Sequence, residues 1–173
     1  MLSWVAVILV ALLISFGLRL FVVESFWIPS PSMEPTLHGC HGCNNDRVLV
    51  DKISYRLHPI RRGDVIVFDR PKEVIDPDKY LIKRVIGIPG DTVSGHDGKV
   101  WIGNRPLNES YLNSKCGRQT PFRATTVPPG KVFVLGDNRC DSFDSRLFGS
   151  IPTSAVVGRA FLIVWPISHR HWL

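Results

Sequence analysis

Three short stretches hold residue types that could do chemistry. The first is Ile28-Pro29-Ser30-Pro31-Ser32-Met33-Glu34-Pro35-Thr36-Leu37. Its prolines forbid a regular helix, because each lacks an N–H and pushes the residue before it toward an extended conformation. A serine in so stiff a turn presents its hydroxyl in one direction, which suits a nucleophile, but it needs a base nearby to attack anything. On composition alone the stretch reads as an ordinary Pro/Ser linker. The second stretch is Tyr80-Leu81-Ile82-Lys83-Arg84-Val85-Ile86. Alternation along a strand puts Leu81, Lys83 and Val85 on one face and Ile82, Arg84 and Ile86 on the other. Each face then carries one basic residue among apolar ones. Most lysines are exposed, yet one buried among such neighbours loses solvation for its charged form, its pKa falls and it can act as a base. Arg84 stays charged and needs a carboxylate. The third stretch, Gly136-Asp137-Asn138-Arg139-Cys140-Asp141-Ser142-Phe143-Asp144-Ser145-Arg146, reads by default as a solvated loop. It can also supply a network: Asp137 for Arg84, Asp144 for Arg146, and a Ser142 hydroxyl to orient a lysine amine.

The elements that must position these groups read as mainly β. Short runs rich in β-branched residues occur at Arg47–Lys52, Asp64–Phe68, Tyr80–Ile86, Lys99–Ile102 and Lys131–Leu135, with turn residues between them. His96-Asp97-Gly98 before Lys99 predicts a hairpin turn. The run Val156–Trp165 is too short to span a bilayer and reads as a buried strand. Asn108–Val127 is polar and weakly patterned, a surface excursion. No helical periodicity follows residue 25, so an antiparallel, mainly-β domain is expected over residues 24–173.

Residues 1–23 are different. No ionisable side chain occurs from Met1 to Leu18, and Arg19 is the only one before Glu24. Eighteen helical residues span roughly 27 Å, about the hydrocarbon thickness of a bilayer. Arg19 can snorkel to the interface, where Phe26 and Trp27 can anchor. The segment lacks the basic start and small-x-small cleavage site of a removed leader, so a retained transmembrane anchor is expected. No Lys or Arg precedes it, and charge therefore does not set its orientation.

The 173 residues suffice for one domain with a core. A net charge of +6 and a sequence pI near 9.4 favour contact with anionic lipid. No basic helix or aromatic-interleaved patch points to nucleic acid. Of the cysteines, Cys40 and Cys43 could be a redox pair, half a zinc site or a tight disulfide, and Cys116 and Cys140 are far apart. Spacing alone leaves the pairing open.

Taken together and in this order, the stretch from Phe26 to Leu37, the run Lys83-Arg84-Val85-Ile86-Gly87-Ile88-Pro89-Gly90-Asp91, and Gly136-Asp137-Asn138-Arg139 through Asp144-Ser145-Arg146 resemble bacterial type I signal peptidase. Arg61-Arg62-Gly63-Asp64-Val65-Ile66-Val67-Phe68 also fits that family. The resemblance implies a single-pass membrane serine endopeptidase, with a catalytic domain of the signal peptidase type on the extracytoplasmic side of the cell membrane. Its substrates would be signal peptides of exported preproteins, cut after a small-x-small motif. By motif position Ser32 would be the nucleophile and Lys83 the general base, a variant of the serine–histidine–aspartate logic. The Ser32 N–H and the Ser30 hydroxyl would form the oxyanion hole. Ser142 would hold the Lys83 amine, and Asp137–Arg84 and Asp144–Arg146 would be supporting pairs. Phe26, Ile28, Pro29, Met33, Leu37 and Ile82 match substrate-pocket positions. No metal or cofactor is implied. The Cys40-His41-Gly42-Cys43 insertion looks like that of actinobacterial members. Cys140 stands where many members have a polar residue, and is a candidate to pair with Cys116.

Two other readings compete. A self-cleaving Ser–Lys repressor would share the core but needs a DNA-binding N-terminal domain, where this chain has an apolar segment. A membrane-anchored binding domain with Ser32 and Lys83 purely structural would not be labelled by a serine-directed acylating inhibitor.

Overall fold

The computed structural model describes residues 2–40, 42–72, 74–75, 78–112 and 121–173. It opens with helix α1 (Leu2–Phe21). Among the described residues no helix is long and apolar enough to cross a membrane. The helix expected from the sequence is thus present, but the structure does not support its reading as a transmembrane span. The chain turns at once into strand β1 (Val23–Trp27), in the stretch where interfacial aromatic anchors were expected. There Phe26 packs edge-on against Tyr80, with ring centroids 5.4 Å apart.

The rest is mainly β, as the short β-rich runs with turn residues between them predicted. Strands β2 (Arg47–Asp51), β3 (Val65–Asp69) and β4 (Tyr80–Gly87) follow, with the single-turn helix α2 (Ser54–Leu57) between β2 and β3. Next come β5 (Thr92–His96), β6 (Lys99–Ile102), β7 (Arg105–Pro106), β8 (Phe122–Thr126) and β9 (Lys131–Leu135). The short helix α3 (Ser145–Phe148), β10 (Ile151–Pro152) and β11 (Val156–Trp165) close the fold. One sheet has the order β1-β2-β11-β3-β4-β9-β10 and a smaller one β7-β6-β5-β8; every pairing is antiparallel. The predicted hairpin joins β5 to β6. Its two loop residues, Asp97 and Gly98, both have positive φ, the requirement of the hairpin turn whose twist matches the strands.

Apolar residues cluster in three places. Ile28, Met33, Leu37, Val65, Val67, Ile82 and Ile163 form one core cluster; Ile66, Phe68, Val85, Val132 and Val134 form another. Alternate residues of β3 enter different clusters, which is the period of two made visible. Ile86, Val93, Val100, Phe133 and Leu135 join the two sheets in a third. Strand β4 lies inside the large sheet and is buried without interruption from Ile82 to Gly87. Both of its faces are therefore enclosed, with the basic residues Lys83 and Arg84 buried as well. The Asn108–Val127 excursion also needs correction. Its end is strand β8, where Phe122 stacks on Phe133 at 5.8 Å; residues 113–120 lie outside the described residues.

Candidate active site

The proline-rich stretch forms a single 3₁₀ turn, Pro31–Met33, with Pro31 in its first turn. Pro31 fits there because an N-terminal N–H has no helical partner anyway. The turn is pinned from both sides. Met33 and Leu37 are fully buried in the core, and Leu37 donates its N–H to the Met33 carbonyl at 3.0 Å. On the other side, the Asn138 amide nitrogen donates to Pro31 O and the Asn138 N–H to Ser32 O, each at 3.1 Å. Ser32 is left 7% exposed, with its hydroxyl directed at β4.

There it meets Lys83, which is 3% exposed and donates from Nζ to Ser32 Oγ at 2.7 Å. A second Nζ contact, to Ile82 O at 3.0 Å, fixes the amine's place above its own strand. Ser30 Oγ lies 3.2 Å from Ser32 Oγ. A serine hydroxyl and a buried amine at this separation can exchange a proton, and with a second hydroxyl adjacent they have the parts for acyl transfer. The pair opens onto a groove of about 200 Å³ lined by Phe26, Ile28, Pro29 and Ile82, together with Tyr80 and Leu81. Met33 and Leu37, matched to pocket positions from the motif, do not line it. They pack beneath it, because a turn this short needs apolar anchors in the core.

Next to Lys83 on the strand, Arg84 binds Asp137 through two nitrogens, Nε to Oδ1 at 2.8 Å and a terminal nitrogen to Oδ2 at 2.6 Å. The guanidinium also donates to Gly63 O at 2.9 Å and lies 4.0 Å over the Tyr111 ring. Thr36 donates to Asp137 Oδ2 at 2.5 Å and so ties the end of the proline-rich stretch to this pair. Burial above all, then the charge of Glu109, holds the Tyr111 phenol well above its ordinary pKa and keeps it neutral beside Arg84. Asp144 and Arg146 pair twice at 2.8 Å, and Asp144 also accepts from the Gly136 N–H at 3.1 Å. Arg146 reaches Arg139 O at 2.8 Å and Ser142 O at 3.3 Å, which braces the loop on itself. Arg139 in turn meets Glu109 at 2.5 Å. Burial alone would lower the Arg139 pKa, but the bond and charge of Glu109 outweigh it and raise it.

Ser142 departs from expectation. Its Oγ is buried without a hydrogen-bond partner, so it does not hold the Lys83 amine here. It packs over Gly136 beside the Ser32 carbonyl, where only a residue without Cβ leaves room. Five participants escaped the sequence reading: Thr36, Asn138, Tyr111, Arg139 and Glu109. Thr36, Asn138 and Arg139 stood inside motifs already singled out, whereas Tyr111 and Glu109 carried no local signal. Cys40 and Cys43 form a disulfide. Cys140 is disulfide-bonded as well, while its candidate partner Cys116 lies outside the described residues.

A mainly-β domain that sets a buried serine–lysine pair at the end of an apolar groove has the architecture of a serine peptidase. The family model described as "Signal peptidase, peptidase S26" matches residues 1–165, and the chain belongs to that family. It is 42% identical to signal peptidase I of Leptolyngbya laminosa, with 91% of this chain and 76% of that protein aligned. Against signal peptidase I of Mycobacterium tuberculosis (strain ATCC 25618 / H37Rv) the identity is 37%, over 92% and 70%. A crystal structure of a signal peptidase I from Enterococcus faecalis V583 superposes with a TM-score of 0.50 at 34% identity. It covers 59% of this chain and 97% of that one.

Proposed function

We propose that the protein removes N-terminal signal peptides from exported preproteins, with Ser32 as nucleophile and Lys83 as general base. The observation that carries this reading is the 2.7 Å contact between two buried groups, Lys83 Nζ and Ser32 Oγ, at the groove's end. With the amine neutral, that separation lets Oγ pass its proton to Nζ while attacking the scissile carbonyl. The Ser32 N–H and Ser30 hydroxyl stabilise the oxyanion. As the intermediate collapses, the ammonium returns the proton to the departing amine of the mature protein. Lys83 then deprotonates a water that hydrolyses the acyl-enzyme. Side chains near the scissile bond lie in the groove against Phe26, Ile28, Pro29 and Ile82, and its small volume favours small ones.

In this reading residues 1–23 anchor the chain in the cell membrane and residues 24–173 form the catalytic domain on the outer face, in contact with lipid. The apolar run before Arg19 supports the anchor, and membership of the signal peptidase family supports the location. The test is incubation with a purified preprotein and mass determination of the products. One cut after a small-x-small motif is expected, with Ser32→Ala and Lys83→Ala each inactive but folded. Because the two act as a unit, the double variant should be little worse than either single. Substantial turnover by Ser32→Ala, free of contaminating peptidase, would refute the assignment.

A further inference from the structure

The loop after the nucleophile turn carries a second cluster of reactive groups. One ring nitrogen of His38 and the sulfurs of Cys40 and Cys43 all lie within 4.8 Å of one another, and all three residues are half-buried. We propose that, once the Cys40–Cys43 disulfide is reduced, His38, Cys40 and Cys43 bind a thiophilic divalent cation of the zinc class.

Two thiolates and an imidazole form a donor set suited to borderline-soft ions and poorly suited to magnesium or calcium. Tetrahedral coordination with metal–sulfur bonds of about 2.3 Å puts two sulfurs about 3.8 Å apart. Once the covalent bond is gone, the two-residue spacer lets them separate that far. The histidine is already oriented. Glu34 Oε1 sits 2.5 Å from His38 Nδ1, which leaves Nε2 as the nitrogen for a metal and reproduces the carboxylate–histidine–metal arrangement. The loop's frame does not depend on the disulfide alone. His38 N–H donates to Asp46 Oδ2 at 2.7 Å, Asp46 N–H to His38 O at 2.8 Å, and Cys40 N–H to Asn45 Oδ1 at 2.9 Å. Between the two ligand positions Gly39 packs against the carbonyls of Ile28 and Ser30, where any Cβ would clash at 2.5 Å. The ligands therefore stay together after reduction. Three protein ligands leave the fourth tetrahedral position for water.

A dithiol reductant gives two electrons and two protons to the cystine, becomes a disulfide itself and leaves two thiols. Binding the cation then releases both thiol protons.

The experiment uses the full chain in detergent, with cobalt(II) as the probe ion. Oxidised protein and protein reduced by a dithiol, then freed of it, are compared by absorption. Reduction should produce tetrahedral cobalt bands and thiolate charge transfer at one ion per chain, displaced by zinc, with neither signal in the oxidised protein. Cys116→Ser/Cys140→Ser should keep the signal, and Cys40→Ser or Cys43→Ser should lose the charge transfer. Glu34→Gln should weaken cobalt binding by roughly ten- to a hundredfold, the usual cost of losing such a carboxylate. Absence of bands in reduced wild-type protein with its thiols verified would overturn the proposal. So would bands that survive Cys40→Ser or vanish in Cys116→Ser/Cys140→Ser.

Discussion

Gly136→Ala is a one-carbon change that tests whether the Ser32 turn is positioned by the loop beneath it. A Cβ at residue 136 would stand 2.3 Å from Ser142 Oγ, 2.4 Å from Ser32 O and 2.6 Å from Ser142 Cβ. Such contacts are not tolerated below about 3.0 Å, so Ser32 O or the Gly136 strand has to move by about 0.6 Å or more. Rotation about χ1 moves Ser142 Oγ away but leaves its Cβ in place, and the Ser32 carbonyl is backbone and already accepts from Asn138. Overpacking of this kind costs about 1–3 kcal/mol, which for a chain of this size lowers Tm by about 2–12 °C. Misplacing a reacting group by about 1 Å costs on the order of 10²-fold in rate. The expected result is a folded protein whose kcat/KM on a quenched small-x-small peptide falls roughly ten- to a hundredfold. Gly87→Ala is the control. Its Cβ would meet Val93 at 2.5 Å and Val127 at 2.9 Å, in the core between the sheets. It should lose stability to a similar degree, with normal kcat/KM in the folded fraction. If Gly136→Ala kept kcat/KM within about twofold of wild type, the positioning argument would fail.

Other consequences can be measured directly. Asp137→Ala strands Arg84, itself 9% exposed, without the carboxylate that binds it twice. Breaking such a pair costs about 3–5 kcal/mol, and thermal unfolding should show a loss much larger than for Lys52→Ala, whose Glu24 pair is partly exposed. Only neutral Lys83 can take the Ser32 proton, so kcat/KM should fall as pH drops. A plateau already complete by about pH 6.5, where a histidine titrates, would argue against lysine as the base. Removing residues 1–23 should leave a domain that cleaves soluble peptide and sediments with anionic vesicles; a folded but inactive truncation would mean that the helix shapes the site.

The sequence by itself determined the residues with reactive side chains and most of the strands that hold them. Lys131–Leu135 and Val156–Trp165 were legible because turn residues bound continuous apolar runs, and those runs suit strands in the middle of a sheet. The Ser32, Lys83 and Asp137–Arg146 stretches were legible as motifs because each concentrates unusual residue types in a few positions. Strand β1 was not, since Val23–Trp27 follows an apolar helix directly and its pairing with β2 is a choice of register that local pattern does not encode. Strand β8 was missed for a related reason: Phe122 is its one large apolar anchor, and its partner Phe133 comes from β9 in the other sheet. Tertiary structure alone decided that Met33 and Leu37 go into the core rather than the groove, that Thr36 and Tyr111 attend the Arg84–Asp137 pair, and that Ser142 rests on Gly136 away from any hydrogen bond. These are matters of direction across tens of residues. A side chain's type limits the bonds it can make, but which partner it meets depends on how turns and strand order bring distant backbone together.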